Sequence, residues 1–154
     1  MNRLSSGLVR YLTDVDHHDH EALVAEIGGG ELVGVARYVR LEREPDTAEV
    51  AVAVVDDWQG RGVASEILSR LAARARDEGI ARFRATCLAD NRAVLDVLQE
   101  LGATRCTSVE AGVMAIDVEL AGALEAEHPL RALVRRAAEG VLSFRHPAAG
   151  REER

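Results

Sequence analysis

The chain has 154 residues, 47% hydrophobic and 29% charged, one domain's worth of sequence and enough to remove roughly 68–70% of its unfolded surface from water without a metal or disulfide staple. No apolar run approaches the roughly 18 residues of a membrane span, the opening MNRLSSGLVRYLT lacks a signal-peptide core, and Cys87 and Cys106 are too few for a disulfide framework, so the expected compartment is a reducing cytoplasm. Residues 1–128 hold 13 Arg against 23 acids, a net of −10, while residues 129–154 hold 6 Arg against 3 acids, a net of +3; the acidic body argues against nucleic acid as the main ligand and suits a cationic partner.

Ser5 is placed to cap a short helix through Val15, on which Leu8, Val9, Leu12 and Val15 recur at helical spacing. Gly7 weakens that reading and leaves a strand open. His20 to Ile27 is apolar enough for a strand, Gly28-Gly29-Gly30 reads as a hairpin turn, and Glu31 to Leu41 is a β-branched strand. Ala48 to Val55 has seven apolar residues in eight, which predicts a strand covered on both faces. The period then changes. From Gly62 to Asp77, Val63, Ile67, Leu68, Leu71, Ala72 and Ala75 form a helical stripe, and Gly79 supplies the C-cap. Ala81 to Leu88 alternates as a strand, and Asn91 to Leu101 is a second amphipathic helix. Thr104 to Glu110 and Val113 to Leu120 close as a hairpin about Ala111-Gly112. Pro129 opens a last helix, Leu130 to Val141, placed either to pack on the sheet or to pair two chains as a homodimer. His146 to Arg154 reads as a disordered tail. The predicted architecture is a mixed α/β (α+β) sheet with a central parallel pair, in a domain over residues 1–128 followed by a C-terminal helix and flexible tail over 129–154.

The strongest chemical signal is Val54-Val55-Asp56-Asp57-Trp58-Gln59-Gly60-Arg61-Gly62-Val63-Ala64-Ser65. A strand ends and a helix begins within a few residues. Gly60, Gly62 and Ala64 keep side chains off the turn, so the unpaired N–H groups of the first helical turn point at one spot with the positive end of the helix dipole behind them. That geometry suits a phosphate or pyrophosphate, and Arg61 adds a mobile charge. The same residues also fit an ordinary tight strand–helix connection. A dinucleotide reading is weaker, because Ser65 stands where the third Gly of GxGxxG belongs and two antiparallel-looking strands come first.

Gln59-x-x-Gly62-x-Ala64 resembles the Q/R-x-x-G-x-G/A signature of the GNAT acetyltransferases. The flanks ThrAlaGluVal (47–50), AspAsnArgAlaValLeu (90–95) and LeuGlyAla (101–103) sit at that family's spacing. ValAspHisHisAspHis (15–20) and AlaGlyValMetAlaIleAspVal (111–118) are similar to the catalytic domain of bacterial protein lysine acetyltransferases of the mycobacterial type. The resemblance covers about Ser5 to Leu120. It implies a GNAT-like fold in which two parallel strands, here Ala48–Val55 and Ala81–Leu88, splay apart around the pantetheine arm of acetyl-CoA. It further implies that Val54 and Val55 pair with that arm as a strand would, and that Gln59, Gly60, Arg61, Gly62, Val63, Ala64 and Ser65 hold the pyrophosphate. Asn91 is placed either to face the pantetheine, to cap the second helix, or both.

The implied reaction is acetyl transfer from acetyl-CoA to a primary amine, foremost a protein lysine, by direct attack. A lysine ammonium has a pKa of about 10.4, so it must lose a proton first. Glu49 is the candidate general base: in the enzymes it resembles, a Glu in this Ala-Glu-Val context has that role, and partial burial at the start of an apolar strand would suit it to the task. The Val55 N–H is the candidate oxyanion donor. The helix tyrosine that protonates the leaving thiolate in the wider family falls at Leu98 here, so that acid is missing. The chain is also expected to be shortened at its N-terminus relative to the family, which touches the acceptor side. A non-catalytic acyl-CoA-binding module and a small-molecule amine acetyltransferase stay open as alternatives. No metal is expected, since His18 and His20 on a strand offer two ligands where a catalytic zinc needs three. No membrane partner is expected. The chain contains no lysine, which excludes Schiff-base chemistry and the Walker A loop. Cys87 and Cys106 read as core residues, and Trp58 as a packing anchor.

Overall fold

The structure, a computed structural model, describes residues 15–120 and 142–145. Strands β1 (His20–Ile27), β2 (Glu31–Arg40) and β3 (Thr47–Val54) run as an antiparallel meander. A single 3-10 turn (Asp56–Trp58) leads into helix α1 (Val63–Asp77). Then follow β4 (Arg82–Leu88), α2 (Arg92–Leu101), β5 (Thr104–Glu110), β6 (Val113–Glu119) and β7 (Leu142–Arg145). They form a seven-stranded sheet in the order β5-β6-β4-β3-β2-β1-β7, in which only β3 and β4 pair in parallel. The mixed sheet with a central parallel pair is therefore present. Among the described residues no helix is long and apolar enough to cross a membrane.

The stripe predicted on α1 is the core. Val63, Ile67, Leu68, Leu71, Ala72 and Ala75 are all buried, and they form one cluster with Tyr38, Ala48, Val50 and Phe83 of the sheet and with Leu98 and Leu101 of α2. Each fully buried Leu or Ile contributes about 1.5–3 kcal/mol to this face. The helix stops where the sequence says it should: Gly79 N–H donates to Arg76 O at 3.0 Å, Ile80 N–H to Ala75 O at 2.9 Å, and Ile80 itself is buried. Those paired bonds are a Schellman closure with its apolar contact.

Four expectations need correction. The strand over 48–55 is not covered on both faces: β3 starts and ends one residue earlier, and Glu49 and Ala51 are exposed. Three of the seven apolar residues are alanines, whose small surface does not demand burial, and the exposed Ala51 is one of them. Residues 142–145, expected in or beside a separate C-terminal helix and tail, form β7 on the outer edge of β1, with Phe144 packed against the core and the Arg70 guanidinium stacked 4.5 Å from its ring centroid. Cys106 is exposed rather than in the core, because β5 is an edge strand exposed along its whole length; Cys87 is half-buried against the core, and burial pushes its thiol up. The histidines of residues 17–20 do not share a strand face. His17 meets the buried Glu21 at 2.9 Å, and His18 precedes the strand and meets Glu78 at the end of α1. Among the described residues, no group of three or more His, Cys, Asp or Glu is placed to hold a metal. The helix read over Ser5–Val15 lies almost wholly outside the described residues, as do Leu130–Val141 and the tail over 146–154.

Candidate active site

The site is built by the way β3 and β4 part. They pair only at Thr47–Arg82, Ala48–Phe83 and Glu49–Arg84. Beyond that point β3 stays bonded to β2 through Val54, and β4 stays bonded to β6 through Leu88. The two strands thus open a wedge whose apex is the Glu49–Arg84 pair. Backbone groups alternate between the two edges of a strand. Thr47 O accepts from Leu41 N–H and Val55 N–H donates to Val33 O, both toward β2, so the peptide groups of Val50, Val52 and Val54 face the wedge. Of the two residues expected to meet a pantetheine arm, Val54 therefore faces the wedge. The Val55 N–H is committed to Val33 O at 2.9 Å, and the sequence reading of it as a free oxyanion donor is corrected on that bond. The sequence could not show that β2 reaches one residue past the end of β3.

The wide end of the wedge meets the glycine turn. Gln59 folds back, and its side-chain amide donates to Val54 O at 3.1 Å and to Asp56 Oδ1 at 3.3 Å. Gln59 thereby fixes the turn rather than presenting its amide outward. Gly60 and Gly62 have φ of 74° and 83°, the left-handed region that only glycine enters without strain. Gly62 is the N-cap of α1 and brings no capping side chain. Glu66 is the first residue whose N–H bonds back into the helix, to Gly62 O at 3.1 Å. The amides of Val63 and Ala64 precede that first intrahelical bond, so the helix supplies them no acceptor. The Val63 and Ala64 amides at the positive end of a 15-residue helix fit an anionic phosphate or pyrophosphate. The Arg61 guanidinium lies 4.8 Å from the Trp58 ring centroid, held over the half-buried anchor the sequence predicted. Asn91 caps α2, its side-chain oxygen accepting from Val94 N–H at 3.3 Å.

At the apex, Glu49 is exposed on the sheet face opposite α1, and its carboxylate makes no hydrogen bond or ion pair with the described residues. The burial expected for it is not there. Beside it lies a cluster that the sequence reading missed. Arg84 Nε donates to Asp117 Oδ1 at 2.8 Å, and Arg84 Nη2 to Asp117 Oδ2 at 3.2 Å and to Glu44 Oε2 at 3.0 Å. Those bonds push the Arg84 guanidinium further up. The alternation of ARFRATCL already put Arg84 on one face; only the sheet order shows Asp117 of β6 to be its neighbour.

A splayed parallel pair ending at a glycine-set helix N-terminus is the arrangement expected of an acyl-CoA site. The acetyltransferase (GNAT) family model matches residues 3–103. The chain is a member of the GNAT acetyltransferase family. This GNAT domain is 37% identical over 115 residues to Acetyltransferase Pat of Mycolicibacterium smegmatis, a match over 74% of this chain and 34% of that protein. The structure of the GNAT domain of S. lividans PAT superposes with a TM-score of 0.66 at 39% identity, covering 77% of this chain and 70% of that one. L-2,4-diaminobutyric acid acetyltransferase of Methylotuvimicrobium alcaliphilum is 32% identical over 104 residues, 67% of this chain and 60% of that protein. The chain thus spans from about a third to three-fifths of the length of these two curated relatives.

Proposed function

We propose that this GNAT domain binds acetyl-CoA in the β3–β4 wedge and catalyses acetyl transfer to a primary amine, with a protein lysine as the acceptor and Glu49 as the general base. The observation that carries the proposal is the end of β3–β4 pairing at Glu49 and Arg84. It leaves the Val50 and Val52 edge open, with the Val54 carbonyl taken by Gln59, and puts the one carboxylate at the start of β3 beside the apex. The donors present fit the cosubstrate. The amides of Val63 and Ala64 would take the pyrophosphate, and the open edge of β3 would take the pantetheine amides as a strand does.

Bound acetyl-CoA supplies the acetyl group as a thioester. The chain's part is to hold the amine, take its proton and keep the thioester still. Near neutral pH the free-amine form of a lysine is scarce, a cost of roughly 4 kcal/mol. A carboxylate on the open face, reached by the acceptor directly or through one water, removes that proton as the nitrogen attacks. Glu49 is exposed to such an approach. No tyrosine stands on α2, where Leu98 is buried, so the leaving thiolate takes its proton from solvent.

The resemblance of residues 15–20 and 111–118 to bacterial protein lysine acetyltransferases supports a protein lysine as acceptor. A second reading has a specific observation behind it. The diaminobutyrate acetyltransferase relative, 32% identical, supports a small diamine acid. Both are tested by following CoA release with acetyl-CoA against a panel of proteins and of small amines, with mass spectrometry of the products. The chain has no lysine of its own, so every acetyl-lysine found belongs to the acceptor. Tight binding of acetyl-CoA with no release of CoA on addition of any protein or small amine would refute transferase activity and leave a binding module. Full turnover by a Glu49→Gln protein would remove Glu49 from the role of base.

A further inference from the structure

We infer that Asp117 and Glu44 are positioning residues, which keep the Arg84 guanidinium turned away from Glu49 so that Glu49 stays a free carboxylate base. The inference rests on the reading of Glu49 as base. Its observations are the register and the bonds. Glu49 and Arg84 are direct partners in the last paired rung of β3 and β4, so their side chains rise from the same face of adjacent strands. An arginine so placed would ordinarily pair with the glutamate, because an opposite charge within about 4–6 Å favours the ionised carboxylate and makes it a poorer base. No such pair forms. The Arg84 guanidinium is taken instead by a two-point contact with Asp117, its rung partner on β6, and by Glu44 from the β2–β3 loop. Asp117 is buried, which fixes the direction of the clamp, whereas Glu44 is half-buried. Asp117 and Glu44 together offset Arg84 and the exposed Arg105 opposite Asp117, so the row sets no excess positive charge against an incoming ammonium.

Of the other charged groups on this face, Arg105 of β5 stands opposite Asp117 on its far side and is exposed, and the Asp117 carboxylate stays bonded to Arg84. Arg82 on β4 is held by Glu119 of β6 at 2.7 Å. Arg37 of β2 stands opposite Ala51, one rung from Glu49, and has an interaction of its own. His20 of β1 is separated from Glu49 by Val39 in the same row.

The test is the pH dependence of kcat/KM for CoA release, read in the wild type, Asp117→Asn/Glu44→Gln, the same pair with Arg84→Met, and Glu49→Gln. Removing both clamp carboxylates frees Arg84 to turn to Glu49. The acid limb then moves down by about one pH unit, and the plateau falls about tenfold as the base weakens. Adding Arg84→Met restores the acid limb, which a merely structural role for Asp117 would not do. An unmoved acid limb in the double variant overturns the inference. So does a limb that moves and is not restored. Should the double variant fail to fold by circular dichroism, Glu44→Gln alone, in an exposed loop, must give a smaller shift in the same direction. The base reading fails separately, through full activity of Glu49→Gln. In that event carboxyl carbon-13 titration of Glu49 in wild type and the double variant still decides whether the clamp governs it.

Discussion

Gly34 is where the sheet touches the first residue of α1, whose N-terminus is the proposed anion site, and replacing it tests the coupling between them. A Cβ built there would lie 3.2 Å from Val63 Cγ1, 3.5 Å from Ala53 O and 3.6 Å from Ala25 Cβ. Carbon atoms pack at about 3.5–4.0 Å, so Val63 must retreat by a few tenths of an ångström. Val63 is buried and its amide belongs to the proposed anion site, so the retreat is felt in stability and in binding. Gly34→Ala is expected to cost about 1 kcal/mol, at the low end of overpacking, or roughly 2–4 °C in Tm for a domain of this size. CoA affinity, measured by calorimetry on the folded variant, is expected to drop about threefold to tenfold. Val63→Ala alone loses buried methyls and costs about 2 kcal/mol. In the double variant the overlap vanishes, so the two losses sum to about 1 kcal/mol less than additively. A Gly34→Ala protein as stable as wild type, or strict additivity in the cycle, would refute the reasoning.

Other perturbations have clear signs. The Tyr38 hydroxyl is buried beside Glu21 without a hydrogen-bond partner among the described residues, and burial, followed by the Glu21 charge, raises its pKa from 10.0 to about 12. The folded state holds this proton where the unfolded state releases it. Stability is therefore full below about pH 10 and falls as pH rises from about 10 to 12. Tyr38→Phe should remove that alkaline loss in urea titrations and leave stability at pH 7 unchanged or raised by about 1 kcal/mol. Arg74→Met takes a cation from the fully buried Glu21, which it meets at 3.4 Å, and should cost about 3 kcal/mol in urea unfolding. Asn91→Ala removes the α2 cap and should cost about 1 kcal/mol by thermal melting; a larger fall in CoA affinity than in stability would show Asn91 also touching the ligand.

Much of the fold was legible because periodicity reports burial directly. The stripe of α1, the alternation of β4 and the stop at Gly79 depend on local chemistry, and each stands within a residue or so of its expected place. The glycine turn was legible for the same reason, since Gly60 and Gly62 are needed by the backbone itself. What the sequence hid depends on neighbours far along the chain. Nothing local says that the Val55 N–H is taken by Val33, that Asp117 stands beside Arg84, or that residues 142–145 pair with β1. The exposure of Glu49 was misjudged because alanines were counted as if they had to be covered.

The placement of β7 has a practical consequence. Val24 to Ile27 of β1 find their outer partners in Leu142–Arg145, so a fragment cut after Leu120, where the sheet formally closes, would leave that row of amides and carbonyls bare. Bare strand margins recruit other chains. A fragment ending before residue 142 is thus expected to self-associate where one that retains residues 142–145 stays monodisperse, a difference light scattering would read at once.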